Sequence, residues 1–252
     1  MDDLLDLTSR VEATHFWFRG FRRFVAPAIA DLAGGRRDLY LLDCGCGTGH
    51  NLATLLRPYG HTFGFDLTQA GLAYARAASL RLARADMGAI PFQSGRFDVV
   101  TSFDVMQYAR DDAHVLREMA RVLKPGGGLV VTAAALDVLR GGHAGTWPEV
   151  RRYTTGRLRS IVERAGLQVR HLTYLFASLF PAMLAVRAVG RAGGTSEATG
   201  TGKASGDDWE MHVPPAPINA AVTGMLAVEA ALSRRIPMPV GSSVLVVAVK
   251  PR

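Results

Sequence analysis

Cysteine is almost missing from this sequence, and this limits the chemistry that the chain can carry. Cys44 and Cys46 are its only cysteines, and the thiols of two such close residues cannot complete a four-ligand zinc site. No histidines join them at metal-ligand spacing, so we expect no metal centre and small-residue packing for both thiols. The chain opens with Met1-Asp2-Asp3 rather than a basic region, which argues against a signal peptide and favours a reducing, cytoplasmic setting.

Lysine is also rare, standing only at positions 124, 203 and 250, so arginine supplies nearly all of the net charge of +7. A GC-rich genome produces such a bias, and no compact basic run is interleaved with aromatic residues, so we expect no nucleic-acid partner. An acidic or membrane-surface substrate is compatible with this charge. The longest apolar stretch, 172–189, contains Pro181 and Arg187 and falls short of a membrane span. Peripheral contact at the inner membrane surface through residues 175–190 stays open.

A glycine-rich turn carries the clearest functional signal. Residues 39–42 read as a buried strand, followed by Asp43 and by Gly45, Gly47 and Gly49 before a helical stretch. The glycines let the strand turn tightly and let a ligand lie against bare backbone, with helix N–H groups facing it. The order G-x-G-x-G differs from the dinucleotide fingerprint G-x-G-x-x-G, and an acid before it suits an ammonium group better than a pyrophosphate. A purely structural loop between strand and helix would have a similar sequence. The segments that follow must therefore show whether this turn binds a ligand.

An acid follows each of the next two predicted strands. Asp66 ends the strand at 61–65, about 20 residues after Gly45, near the position where a nucleoside-binding sheet places its ribose-binding carboxylate. Its two oxygens can accept hydrogen bonds from both ribose hydroxyls, and Leu67 is suited to packing on an adenine face. A solvated acid at a strand end is the alternative. Asp86 and Met87 follow the next strand in the same way.

Helix and strand patterns alternate through the rest of the chain as an α/β sheet requires. Lys124-Pro125-Gly126 is expected to end a helix and turn the chain into the fifth strand. The predicted strands are 39–42, 61–65, 82–85, 98–102, 129–132, 167–174 and 243–250, and the helices that separate them include 68–79, 117–123 and 155–165.

The series from Leu41 to Thr132 resembles the core of class I S-adenosylmethionine (SAM) methyltransferases of the small-molecule, type 11-like group. The glycine turn matches that family's first motif, and the phrases FDVVTSFDVMQYARD and VLREMARVLKPGGGLVV match its later ones. The resemblance implies SAM as cofactor and a Rossmann-like, seven-stranded, mostly parallel α/β sheet with an antiparallel last strand, an N-terminal lid helix and a helical insertion between the last two strands. It implies cofactor contacts from Asp43, Gly45, Cys46, Gly47, Gly49, Asp66, Leu67, Asp86, Met87 and Phe103. Gln107-Tyr108 replace the Glu-His of many relatives, so an acid/base role must fall elsewhere.

The N-terminal segment 12–23 resembles the HWWF-type opening of a methyltransferase subgroup found beside glycan and lipid biosynthesis genes. On a helix, His15, Arg19 and Arg22 share one face. The resemblance implies that this helix lies over the cofactor with Trp17, and that Arg22, rather than Arg19, pairs with the methionine carboxylate. His15 becomes a further catalytic candidate. The alternative is an aromatic helix docked on the sheet with a solvated basic edge.

The polar, glycine-rich loop 141–153 lies where this fold usually receives its methyl acceptor. The subgroup's G-H-x-R-R-Y pattern matches Arg151, Arg152 and Tyr153, but Pro148-Glu149 replaces Gly-His. Glu149 and His143 are therefore the candidate bases, with Tyr153 beside them, and a merely solvated loop histidine is the alternative for His143. We expect the core strands to hold no other base.

The insertion 175–242 is the least generic part of the chain. We predict an apolar helix at 176–189 interrupted at Pro181, a mobile Gly/Thr/Ser/Ala loop at 190–208, and a helix at 218–235. The apolar face of the last helix is predicted to comprise Ala221, Met225, Val228 and Leu232. These helices either pack on the sheet or on a second subunit, or wall a hydrophobic acceptor pocket and touch a membrane. The predicted organisation is a lid at 1–36, a SAM-binding core at 37–174, an acceptor cap at 175–242 and a final core strand at 243–252.

We therefore predict an enzyme that transfers the sulfonium methyl group by SN2 displacement to an oxygen of a small molecule, glycan or lipid-linked saccharide. C- or N-methylation of a natural product is the alternative chemistry. Methylation of a nucleobase or glutamine amide is disfavoured, because no Asn/Asp-Pro-Pro-aromatic motif stands at Phe103-Asp104. A second hypothesis is a non-catalytic SAM-binding partner of another methyltransferase, and a third, disfavoured by G-x-G-x-G, is a nicotinamide dehydrogenase. The sequence does not define the oligomeric state.

Overall fold

The protein, seen here in a computed structural model, is described at residues 2–77, 81–140, 149–192 and 212–252. Helices alternate with strands in the predicted manner, and the predicted fold class is confirmed. The helices are α1 (Asp2–Val11), α2 (Phe16–Ala33), α3 (Gln69–Ala77), α4 (Asp112–Val122), α5 (Thr155–Arg164), α6 (Phe180–Ala192) and α7 (Ala216–Ser233). The strands are β1 (Leu39–Cys44), β2 (Gly60–Asp66), β3 (Arg81–Arg84), β4 (Phe97–Phe103), β5 (Leu123–Ala134), β6 (Gln168–Leu175) and β7 (Ser243–Val249).

The sheet has the strand order β3-β2-β1-β4-β5-β7-β6. All neighbours pair in parallel except β7, which is antiparallel to both β5 and β6, as the sequence predicts. The chain leaves β1 toward β2 on one side and returns to β4 on the other side. The carboxyl ends of β1 and β4 therefore flank a crevice at the point where ligands bind in open α/β sheets.

Two apolar layers cover the two faces of the sheet. The central strands are apolar along most of their length, because helices bury them on both faces. One layer contains buried residues of α4 and α5, such as Leu116 and Ile161. The other contains Phe21, Phe24 and Ile29 of α2 together with residues of α7 and of the π-helical turn at 52–56. The N-terminal helix α2 is thus part of the hydrophobic core.

Two elements depart from the sequence-based prediction at or near a proline. Pro181 does not interrupt α6, because the helix begins at Phe180 and a proline in the first turn lacks only an N–H that has no intrahelical partner. Pro217 occupies the same kind of position in α7. Lys124-Pro125-Gly126 do not separate helix from strand, since β5 already begins at Leu123.

The predicted orientation of α7 is wrong. Met225, Val228 and Leu232, expected on its packed face, are 40%, 62% and 50% exposed. The buried face instead carries polar residues, including Asn219 and Glu229. Burial of this polar face is favoured because each of its polar groups has hydrogen-bond partners in the folded chain.

Those partners fix α7 against the rest of the domain. The Asn219 side chain donates to the Thr14 carbonyl over 2.9 Å and accepts from the Phe16 amide over 2.8 Å, next to the start of α2. The Glu229 carboxylate accepts from the amides of Ala177 and Ser178 over 2.8 and 2.9 Å, just before α6. Both helices of the insertion are therefore anchored through buried polar groups of α7.

Candidate active site

The glycine turn after β1 has the backbone shape that its sequence predicts. Gly45, Gly47 and Gly49 have φ angles of 76°, 50° and 79°, a region in which a side chain is strained. A Cβ atom at Gly45 would also lie 2.7 Å from the Val105 side chain. The amides of Gly45 and Cys46 donate to the Phe65 carbonyl over 2.9 and 3.0 Å, which ties the turn to β2. The turn is held rigidly at the edge of the sheet.

Asp66 lies at this edge and contacts the glycine turn directly. Its Oδ2 accepts from the Gly47 amide over 2.8 Å, and its Oδ1 accepts from the amide and hydroxyl of Thr68 over 2.8 and 2.6 Å. A carboxylate has about four lone-pair sites, so one remains on Oδ2. Leu67 follows and is 36% exposed. A diol can bond to Asp66, its second hydroxyl taking the place of the Thr68 hydroxyl.

The other predicted contacts lie at the ends of β3 and β4 on the same side of the sheet. Asp86 is exposed, and its Oδ1 accepts from the Gly88 amide over 2.7 Å. Met87 is half-buried against the core. Phe103 meets Phe21 edge to face, with ring centroids 5.3 Å apart. The structure thus brings Asp66 and Asp86 to one edge of the sheet. Leu67 and Met87 follow them directly in the chain.

Asp43 is buried inside β1 rather than in the turn. It is 2% exposed, and its Oδ1 accepts from the Thr101 hydroxyl over 2.7 Å. Burial, with a smaller contribution from nearby Asp66, raises the pKa of Asp43 to about 7. Among the described residues no arginine, lysine or histidine pairs with this carboxylate. A cationic ligand group nearby would therefore favour its ionised form.

The start of the chain closes over the glycine turn through Glu12. Its carboxylate accepts from the Thr48 hydroxyl over 2.8 Å, and His50 Nδ1 lies 3.8 Å from its Oε1. The Arg22 guanidinium donates to the Glu12 carbonyl over 2.7 Å. Burial raises the pKa of Glu12 and lowers the pKa values of Arg22 and His50. Glu12 belongs to the recognised N-terminal segment, but its reach to the turn was not foreseen.

These residues fit an adenosyl amino acid. The open side of Gly47, where an added Cβ would meet only Leu5 at 3.6 Å, leaves room against bare backbone. Asp66 suits a ribose, and the buried Asp43 suits a cation. Arg22 makes a single hydrogen bond within the described part of the chain, so its other N–H groups are available to a carboxylate.

A cavity of about 360 Å³ lies beyond the end of β4. One side is apolar and comes mainly from α6. The other side is polar and comes from the ends of β4 and β5 and from the residues just before β7. Its apolar lining includes Trp17, Leu179, Met183 and Val186, and its polar lining includes Asp104, Gln107, Glu149, Arg152 and Ser242. Trp17, predicted at the cofactor, lines this cavity and stacks on Phe176 with centroids 4.0 Å apart.

Asp104 is the base candidate that sequence reasoning missed. It follows β4 at a φ of 52°, and its Oδ1 lies 3.1 Å from the Thr132 hydroxyl. Burial raises the pKa of Asp104 to about 6, while the Thr132 hydrogen bond and Arg152 act in the opposite direction. Gln107 supports this loop by donating to the Asp104 carbonyl over 2.7 Å. The expectation that no core strand supplies a further base is therefore not met. The sequence feature that points to Asp104 is its place directly after a strand that ends at the crevice.

The candidates from the acceptor loop have different surroundings. Glu149 lines the cavity, where Arg152 holds its carboxylate with two hydrogen bonds of 2.8 and 3.0 Å. Tyr153 is fully buried in the core, and its hydroxyl lies 3.0 Å from the Met106 carbonyl and 3.2 Å from the Asp112 carboxylate. Burial raises the pKa of Tyr153 above its usual range. His143 lies outside the described residues, as does most of the loop predicted at 190–208.

His15 lines the cavity as the N-cap of α2. Its Nδ1 accepts from the Trp17 amide over 3.1 Å, and its Nε2 lies 3.2 Å from the His212 carbonyl. These contacts require the tautomer with its proton on Nε2 and leave neither nitrogen free. Burial lowers the pKa of His15, which favours the neutral ring. The arrangement is that of a helix cap rather than a proton acceptor.

Comparisons with known proteins agree with this geometry. Residues 42–131 match a family model described as a methyltransferase domain. A probable S-adenosylmethionine-dependent methyltransferase of Mycolicibacterium smegmatis is 28% identical over 64% of this chain and 63% of its own length. A malonyl-[acyl-carrier protein] O-methyltransferase of Herminiimonas arsenicoxydans is 33% identical over 58% of this chain and 56% of its own length. The chain thus spans less than two thirds of these relatives.

Solved structures share the fold at lower identity. The methyltransferase in complex with the Trm112 methyltransferase activator from Haloferax volcanii is 22% identical, with a TM-score of 0.65, over 100% of this chain and 96% of that one. An S-adenosylmethionine-dependent methyltransferase from Mesorhizobium loti is 20% identical, with a TM-score of 0.53, over 89% of this chain and 96% of that one. Residues 42–131 are thus those of a methyltransferase domain, the solved structures add the shared class I fold, and S-adenosyl-L-methionine is the cofactor that this similarity implies.

Proposed function

We propose that this protein is an enzyme that transfers a methyl group from SAM to an oxygen atom of an acceptor bound in the 360 Å³ cavity. The observation that carries the proposal is the half-buried Asp104 carboxylate, which lines the cavity where β4 reaches the crevice and has its pKa raised by desolvation. Bound SAM supplies an electrophilic sulfonium methyl group. The chain's own contribution is to position the acceptor, to exclude water and to hold the acceptor's proton.

Asp104 is suited to the proton-accepting role. With a pKa of about 6, it is mostly ionised at neutral pH and still basic enough to accept a proton from a hydroxyl group. Glu149 is a weaker candidate, because Arg152 occupies both of its oxygens. An amine acceptor needs only its neutral form, so a carboxylate with a raised pKa in the cavity supports transfer to oxygen over nitrogen. The O-methyltransferase among the relatives supports the same choice.

The cavity lining supports an acceptor with a hydroxyl group and an apolar part. The Ser242 hydroxyl is buried without a hydrogen-bond partner in the described part of the chain, so a polar ligand atom would satisfy it. Leu179, Met183 and Val186 provide an apolar wall opposite. A small molecule or a lipid-linked saccharide has this character, and the enzyme would then act in the cytoplasm, at the inner membrane surface for a lipid-linked acceptor.

The test is transfer of label from methyl-labelled SAM to lipid, glycan and small-molecule pools from the source organism. We expect one pool to be labelled, and Asp104→Asn to lower the rate by about 10²-fold or more without changing the affinity for S-adenosylhomocysteine. Glu163→Gln, an exposed acid on α5, is the matched control and should keep the full rate.

Two outcomes would contradict the proposal in different ways. Full activity of Asp104→Asn would show that positioning alone suffices and would favour transfer to nitrogen. Binding of SAM with no labelled product in any pool would favour the non-catalytic partner subunit.

A further inference from the structure

The outward face of α7 is an exposed apolar stripe. Met225, Val228 and Leu232 are between 40% and 62% exposed and recur at the spacing of one helical side, and Ile236, 63% exposed, lies just after the helix end. By length and composition alone, α7 is the single helix in the described part of the chain that could cross a membrane. It does not cross one in this fold, because the buried Asn219 and other groups on its opposite face bond to the domain. The stripe therefore lies on the surface of a folded protein.

A basic groove runs beside this stripe, between α2 and α7. It encloses about 750 Å³, has a floor of small residues such as Ala26 and Ala227, and is bordered by Arg19, Arg22, Arg23 and Arg234. Two acids offset part of this charge: Glu12 lies near Arg22, and Asp31 is 3.1 Å from Arg234 with both side chains exposed. Arg19 and Arg23 are exposed and pair with no acid among the described residues. The groove is therefore net positive.

The groove and the stripe form one continuous surface. Ala227, Ala231 and Arg234 of α7 face the groove, and Val228 and Leu232 each follow one of these residues. One residue along a helix is a rotation of about 100°, so Val228 and Leu232 project from the side of α7 next to the one whose alanines face the groove. A surface with apolar residues flanked by arginines is typical of proteins that lie in the headgroup region of a bilayer.

We propose that this surface, formed by α2 and α7, docks the protein on an anionic lipid bilayer. Arg19, Arg23 and Arg234 meet lipid phosphates, and the α7 stripe enters the boundary between headgroups and acyl chains. Charge decides between the occupants: a symmetric contact between two copies would place the two arginine grooves against each other, which is repulsive. The proposal goes beyond methyl transfer and does not depend on it.

The test is co-sedimentation of the full chain with vesicles of phosphatidylcholine alone or mixed with phosphatidylglycerol. We expect binding to the mixed vesicles that weakens with added salt. Arg23→Gln with Arg234→Gln should lower the partition coefficient roughly 30-fold, since each arginine near an anionic surface contributes about fivefold. Val228→Ser with Leu232→Ser should lower it by about tenfold or more.

The matched control is Arg117→Gln with Arg159→Gln, which removes the same charge from exposed positions on α4 and α5 of the opposite sheet face. It should bind mixed vesicles almost as well as the native chain. All variants must keep their affinity for S-adenosylhomocysteine, which shows that they are folded and separates this test from methyl transfer.

Three results would overturn the proposal. They are binding to neutral vesicles as tight as to mixed ones, no binding to either, and an equal loss in the control pair. If neither vesicle is bound, self-association that Val228→Ser with Leu232→Ser abolishes would identify a second copy of this chain as the occupant.

Discussion

Replacing Asp43 by asparagine should remove part of the pH dependence of the free energy of unfolding of the ligand-free protein. The carboxyl group is fully buried, accepts only from Thr101 among the described residues, and has a pKa raised to about 7 by burial. In the unfolded chain its pKa is near the ordinary value of 3.8. Between these two values the folded state keeps a proton that the unfolded state has released. The native chain must therefore lose stability as pH rises through this window.

The size of the effect follows from the two pKa values of Asp43. Between about pH 5 and about pH 8, the contribution of this carboxyl to the free energy of unfolding should fall by about 2.5 kcal/mol. Asparagine has nearly the same shape, can still bond to Thr101, and does not titrate. The free energy of unfolding of Asp43→Asn, relative to that of the native chain, should thus rise by about 2.5 kcal/mol from about pH 5 to about pH 8. It should change little at higher pH.

Urea unfolding of the native chain and of Asp43→Asn at both pH values measures this difference. Comparing the two proteins cancels the contributions of other buried groups with raised pKa values, such as Asp104 and Glu12. Asp98→Asn is a useful contrast, because Lys124 and other donors lower the pKa of Asp98, and its removal should destabilise the chain at about pH 8. A stability difference between Asp43→Asn and the native chain that does not change with pH would refute the reasoning.

Three further variants test other parts of the structure. Asp66→Ala should weaken binding of S-adenosylhomocysteine and of methylthioadenosine alike, by about tenfold or more in calorimetry, since both ligands carry the ribose; unchanged affinity would exclude the ribose role. Arg22→Ala should weaken S-adenosylhomocysteine much more than methylthioadenosine, which lacks the carboxylate, whereas equal losses would point to packing. Glu229→Ala should lower the free energy of unfolding by about 1–3 kcal/mol in urea, because it removes a buried carboxylate that accepts from two amides before α6, and a neutral effect would contradict that anchoring.

The cofactor edge was predictable because its information is local. A strand, an acid and alternating glycines at 39–49 define the turn by themselves, and Asp66 and Asp86 each stand directly after a strand. In a parallel sheet the carboxyl ends of neighbouring strands meet at one edge, so these separate signals had to converge. Tertiary structure added the hydrogen bond from Gly47 to Asp66, the burial of Asp43 and the contact between Glu12 and Thr48.

The acceptor side was harder to predict because it is assembled from distant segments. Tyr153 matches a subgroup motif, yet the backbone places its ring in the core and its hydroxyl on Met106 and Asp112. Asp104 becomes a base candidate only because α2, α6 and the residues before β7 form a cavity with it. Burial sets its pKa, and burial depends on packing that sequence spacing does not contain.

The orientation of α7 shows why periodicity alone misleads in this insertion. Apolar residues recur at helical spacing on more than one side of α7, so the pattern does not decide which side faces the sheet. Asn219 and Glu229 decide it, since their hydrogen bonds to the start of α2 and to the residues before α6 exist only in one orientation. Burying these polar groups with partners costs little, whereas turning them outward would leave the amides of Ala177 and Ser178 without acceptors. The apolar stripe is therefore directed outward by polar contacts on the opposite side, and an apolar face held outward in this way is a surface that a partner or a bilayer can use.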